Sequence, residues 1–270
     1  MRYGLLGNLE VRRDDGTLAD LGGIQPRRVL ALLLAASGRV VPVDAVIDEL
    51  WGDDVPASAS GTLQSYISRL RRAIDPERTG SGQVLAWEPP GYRLDVPAEE
   101  VDFRRFERLA REGRELLDDG RPGDALERLS EADGLWRGAA LVEFADQDFA
   151  RGLAARLEEG RLAASEDRIA AQLALGMHAS VVGELRELLD GNHLREGLWA
   201  HLALALYRSG RQAEALRVLG EMREALLDEL GVDPSPPLRL LEQQILEHDP
   251  TLLHVAPAEP AAARRTRPRR

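Results

Sequence analysis

The chain has 270 residues, a formal net charge of −11, 44% hydrophobic and 30% charged residues, a balance that fits a globular protein of about two domains. It contains no cysteine, which excludes a disulfide framework and a thiolate metal site. The longest apolar run, Val29–Ala36, is far short of the ~18 residues of a membrane span, and Met1-Arg2-Tyr3-Gly4-Leu5-Leu6 lacks the apolar core and cleavage site of a signal peptide, so a cytoplasmic location without membrane contact is expected.

An acidic total argues at first against nucleic acid, but placement decides more than sum. The first hundred residues hold eleven Arg against fifteen Asp and Glu, whereas Ser58–Ile74 carries Arg69, Arg71 and Arg72 and no acid. All 35 basic residues are arginine, a trait we ascribe to GC-rich codon usage.

Tyr3–Leu6 and Leu9–Arg13, broken by Gly7-Asn8 and Asp14-Asp15-Gly16, predict a small antiparallel sheet, because Gly and Asn tolerate the positive φ of hairpin turns. Gln25–Ser37 reads as a helix with Pro26 in its first turn and Gly38 at its exit. Val43, Val46, Ile47, Leu50 and Trp51 then fall on one face of a second helix, Val43–Trp51. Asp53–Ala57 is a short connector. A third helix, Ser58–Ile74, buries Leu63, Ile67, Leu70 and Ile74 and presents Thr62, Gln64, Ser65, Ser68, Arg69, Arg71 and Arg72.

Arg pairs bidentately with guanine and Gln with adenine, while Ser and Thr bond phosphates. A cationic face is also what a solvated helix presents; the preceding helix and tight connector turn the reading to a helix-turn-helix. Beyond the polar loop Asp75–Gly82, Gln83–Trp87 and Tyr92–Val96 read as strands joined by Glu88-Pro89-Pro90-Gly91, a wing.

Leu50-Trp51-Gly52, the string Thr62-Leu63-Gln64-Ser65-Tyr66-Ile67-Ser68-Arg69-Leu70-Arg71-Arg72-Ala73 and Pro89-Pro90-Gly91-Tyr92-Arg93-Leu94 resemble the OmpR-type winged helix, and more narrowly the Streptomyces antibiotic regulatory protein (SARP) family. The resemblance covers about Tyr3 to Pro250. It implies base contacts from Gln64 and Arg69, and phosphate contacts from Thr62, Tyr66, Ser68, Arg71 and Arg72. Ser65 and Arg93 complete the implied DNA-binding set. Trp51 and Tyr92 match phosphate-contacting positions and equally suit a core. Two positions depart from the pattern: Glu88 stands where wings of this family often carry Arg, and Gly61 where the recognition helix often has Asn.

From Val101 the pattern is all-helical, with Asp102 as an expected N-cap and Phe103, Phe106, Leu109, Ala110, Leu116 and Leu117 on the apolar face. Gly210-Arg211-Gln212-Ala213-Glu214-Ala215-Leu216 reads as a tetratricopeptide turn with Trp199, Leu202, Ala203 and Leu206 before it. A shift of 34 residues, the tetratricopeptide period, reaches Gly176 and Val181, and a looser copy starts at Gly120. Such solenoids display a concave protein-binding surface. Leu135-Trp136-Arg137-Gly138, Ala154-Ala155-Arg156-Leu157-Glu158 and Leu230-Gly231-Val232-Asp233-Pro234 are similar to the bacterial transcriptional activation domain of SARP proteins, which implies dimerisation on DNA and contact with RNA polymerase holoenzyme.

The expected fold is therefore α+β, a winged helix-turn-helix over 1–97, followed by an all-α tetratricopeptide-like domain over 101–250 and a disordered basic tail over 251–270. The expected function is sequence-specific activation of transcription at promoter direct repeats of an antibiotic or other secondary-metabolite cluster. The alternative is a helical-repeat interaction scaffold with a degenerate winged helix. No cofactor, metal or catalytic residue is expected: the five His make no spaced motif with carboxylates and no Walker A sequence is present. The chain reads as a short form of its family, with no nucleotide-binding or receiver domain expected.

Overall fold

The structure, a computed structural model, describes residues 1–75 and 84–253. Most of the expected polar loop, the strand start at Gln83 and the tail from 254 lie outside the described residues. By internal contact the chain forms two compact units, Met1–Arg111 with Ser130–Ala163, and Glu112–Leu129 with the residues from Ala164 onward.

In the first unit, β1 (Arg2–Gly4) pairs antiparallel with β2 (Glu10–Arg12), Tyr3 opposite Val11. The turn between them buries Leu5, Leu6 and Leu9 almost completely. Helix α1 (Ile24–Ala35) buries Val29, Leu30, Leu33 and Leu34. It ends before the expected Ser37 because Ser37 and Gly38 both take positive φ, 56° and 81°, which an α-helix does not accommodate. Strand β3 (Val41–Pro42) is followed at once by α2 (Val43–Trp51), which has the bounds its apolar spacing requires. Helix α3 (Ala59–Ile74) buries Leu63, Ile67, Leu70 and Ile74 as expected, with Ala59 and Ala73 beside them.

The wing is a hairpin of β4 (Leu85–Glu88) and β5 (Gly91–Leu94), and β5 lies between β3 and β4 in a three-stranded sheet. Pairing runs to Glu88 opposite Gly91, so the strands reach closer to the turn than the expected Gln83–Trp87 and Tyr92–Val96. Only Pro89 and Pro90, joined by a cis peptide, separate them. Gly91 is required by the crossing of β3: a Cβ there would lie 1.8 Å from the Val41 carbonyl oxygen.

Helices α4 (Asp102–Asp118), α5 (Pro122–Asp133) and α6 (Asp148–Ala174) follow. Within the first unit, Phe103, Phe106 and Leu109 of α4 are buried. Trp136 meets Phe106 edge-on at 5.2 Å, and the Arg161 guanidinium lies 4.7 Å over the indole, a cation–π contact. Asp102 departs from the expected cap role. Its carboxylate accepts the N–H of Phe103 and also those of Leu5 and Leu6 in the β1–β2 turn, and it pairs with Arg137 at 2.9 Å. Glu143 works similarly, accepting Leu9 N–H and pairing with Arg27, whose Nε donates at 2.7 Å.

The second unit is built on helix hairpins. Helices α7 (His178–Gly191), α8 (Glu196–Arg208) and α9 (Gln212–Leu230) precede α10 (Pro236–Leu246). Trp199, Leu202, Ala203, Leu206, Ala215 and Val181 are buried, as the repeat reading requires. Gly120, Gly176 and Gly210 all have φ between 71° and 83°. In each case the residue after the glycine donates its N–H five residues back, Arg121 to Leu116, Met177 to Gln172 and Arg211 to Leu206. That is the glycine-capped Schellman ending, so all three sequence copies mark the same physical event. At Gly113 a Cβ would lie 2.4 Å from Leu129 Cγ, which explains the small residue there. Among the described residues no helix is long and apolar enough to cross a membrane.

Candidate nucleic-acid interface

Helix α3 owes its two faces to sequence spacing alone. With Leu63, Ile67 and Leu70 buried, a helix of 3.6 residues per turn turns Gln64, Ser65, Ser68, Arg69 and Arg72 outward, and all five are exposed. Thr62, Tyr66 and Arg71 sit at the margin, partly buried. The exposed strip bears no carboxylate of its own. Arg71 and Arg72 also lie in the last turn, where cations complement the helix dipole.

Several of these side chains have intramolecular partners. Ser65 Oγ donates to the Gly61 carbonyl at 3.0 Å, and Arg72 Nε to the Ser68 carbonyl at 3.4 Å. Arg71 Nε donates to the Leu85 carbonyl at 2.9 Å, tying α3 to the wing strand β4. That side chain therefore also holds the fold together. Arg69 pairs with Asp20, from the segment before α1, at 3.1 Å.

At the wing, Arg93 Nε lies 2.9 Å from the Glu88 carboxylate, both partly exposed. Tyr92 is buried, 7% exposed, with its ring 5.1 Å edge-on from Trp87, which is 52% exposed. The geometry thus gives Tyr92 a core position and makes Trp87 the outward aromatic, which the sequence reading had passed over. Trp51, at the end of α2, is partly buried. The partnership of Asp20 was also missed. The turn Asp20-Leu21-Gly22 is visible in sequence, but nothing local announces a partner 49 residues away.

A helix-turn-helix with a wing, carried in one chain with glycine-capped helical repeats, defines a winged-helix transcription regulator. Comparison with known proteins agrees. The bacterial transcriptional activator domain matches residues 101–246, and the transcriptional regulatory protein C-terminal domain matches 24–94. Regulatory protein DnrI of Streptomyces peucetius is 41% identical, over 97% of this chain and 98% of its own length. Regulatory protein AfsR of Streptomyces coelicolor is also 41% identical, over 97% of this chain but 26% of its own length. The solved structure of Mycobacterium tuberculosis EmbR in complex with a low-affinity phosphopeptide superposes with a TM-score of 0.85 at 36% identity, covering 92% of this chain. The match spans 65% of the EmbR chain.

The chain belongs to the SARP family of transcriptional activators, with an OmpR-type DNA-binding domain and a bacterial transcriptional activator domain. It is a DNA-binding regulator and not an enzyme, since that family comprises regulators.

Proposed function

We propose that the exposed strip of α3 reads promoter DNA, with Gln64 and Arg69 at base edges and Thr62, Ser65, Tyr66, Ser68, Arg71 and Arg72 at phosphates. Arg93 serves at the wing, and Trp51 adds its indole N–H at the end of α2. Tyr92 contributes through the wing sheet that it packs. Residues 1–97 form the DNA-reading part and 101–250 the part that engages a second protomer and RNA polymerase holoenzyme. The targets are direct repeats at promoters of a secondary-metabolite cluster in the cytoplasm. The observation that carries the reading is the acid-free exposed strip of α3 in an acidic chain, since carboxylates on that strip would oppose phosphate.

The test compares binding to a duplex enriched by the wild-type chain from a randomised pool with binding to its scrambled version. Arg69→Ala is expected to lower the ratio of the two affinities, a loss of ~1–3 kcal/mol for a bidentate base contact. Arg72→Ala should weaken both duplexes alike and reduce the salt dependence by about one unit. An unchanged ratio in Arg69→Ala would sink the assignment.

A further inference from the structure

Asp20 and Gly22 form a seat for one arginine of the proposed recognition surface. One carboxylate oxygen of Asp20 accepts the Gly22 N–H at 2.9 Å, and the other accepts Arg69 Nη2 at 3.1 Å. Gly22 has φ of +87°, and a Cβ there would lie 2.5 Å from Arg69 Nε and 2.7 Å from Cζ. The guanidinium is thus laid against the Gly22 backbone, in a place from which a Cβ would push it aside. The turn itself is anchored, because Leu21 between the two residues is 2% exposed. Asp20 stays ionised: the Gly22 N–H, then Arg69, hold its carboxyl below the ordinary range.

The pair does little for stability. Asp20 is 83% and Arg69 49% exposed, and ion pairs so open to water contribute little to folding. Its effect falls on Arg69 itself. A free arginine samples many rotamers and must give them up on binding. An arginine fixed at one Nη, with Nε against Gly22, keeps its second edge free for the paired donors that guanine O6 and N7 require.

We propose that Asp20 is a positioning residue that pre-sets the Arg69 guanidinium for base recognition, with Gly22 providing the space. The proposal rests on the reading of Arg69 given above. A carboxylate beside the DNA surface also repels phosphate, so the seat trades general affinity for discrimination.

The experiment uses the full chain, the enriched duplex and its scrambled version. Asp20→Asn removes the charge without burying anything new. It is expected to leave scrambled affinity equal or higher and to lower the specific-to-scrambled ratio about 2- to 12-fold, the range for one side chain's ordering cost. In an Arg69→Ala background the same substitution should leave the ratio unmoved. Gly22→Ala should lower the ratio as well, with circular dichroism confirming the fold. An Asp20→Asn ratio equal to or above that of wild type would overturn the proposal, because the carboxylate would then act only as a repulsive charge or a competitor. If Arg69→Ala lowers the ratio and Asp20→Asn does not, the seat alone is refuted. If Arg69→Ala leaves the ratio unchanged, the reading of Arg69 falls and the seat with it.

Discussion

Both carboxylate oxygens of Asp102 accept the backbone N–H of Leu5, at 2.8 and 2.9 Å, across 97 residues of sequence. The second of those oxygens also takes the Leu6 N–H, and Arg137 closes the group. Burial pushes the Asp102 carboxyl up, and the two amides and Arg137 oppose that shift. The charge is tolerated where it is because it serves a tight turn whose amides have no strand partner.

Asp102→Ala is therefore expected to cost about 2–4 kcal/mol, since hydrogen bonds to a charged group are worth ~1.5–3 kcal/mol and the amides left behind are partly desolvated. Urea unfolding of the full chain measures it. A loss below about 0.5 kcal/mol, the range of ordinary surface substitutions, would mean that water replaces the carboxylate without penalty.

How much of this could be read from the sequence follows from what each feature depends on. Helix α2 has its expected bounds and α3 its expected stripe because helical periodicity is a local property. The turns at Gly120, Gly176 and Gly210 were legible as copies of one repeat, while the capping bonds that close them are seen in the fold. Strand β3 has two residues, too few for any period, and exists through its pairing with β5. The carboxylates of Asp102 and Asp20 and the Arg71 bond to Leu85 depend on residues brought together by the finished fold. In the proposed interface, the residue types were visible and their partners were not.

A pH response is expected from His201 on α8. Burial holds its pKa below the ordinary value, and its Nδ1 is buried with no hydrogen-bond partner among the described residues. As pH falls below about 6.5, the unfolded chain binds a proton that folded His201 resists. Stability therefore falls with pH through that window, by up to ~1.4 kcal/mol per unit for one proton. Melting of wild type and His201→Gln between about pH 7 and pH 5.5 should show the shallower slope in the variant. Parallel slopes would assign the acid sensitivity to other groups.

The wing pair gives a separate handle on affinity. Glu88 stands 2.9 Å from Arg93 Nε and offsets the one arginine of the β4–β5 hairpin. Glu88→Gln is expected to tighten binding to specific and scrambled duplexes alike and to steepen the salt dependence by up to about one unit. Fluorescence anisotropy across a salt series reads both. Identical slopes in the two proteins would mean that the wing tip stands away from the phosphates.

One winged helix spans few base pairs, and an acidic chain of net charge −11 gains little from non-specific attraction. Two heads joined through their helical domains gain affinity by effective concentration, without new base contacts. If the two sites are direct repeats, both α3 helices must meet the same side of the duplex. Repeat spacing is then about 10–10.5 base pairs or a multiple of it. Inserting about five base pairs turns one site roughly half a turn away, and inserting about ten restores it. Gel-shift titration of the natural, half-turn and full-turn duplexes, with the mass of each complex determined, should give tight two-protomer binding for the first and third. The half-turn duplex should fall towards the affinity of a single repeat. Equal affinity for all three, or a complex holding one chain, would leave a monomeric reader whose helical domain serves another partner.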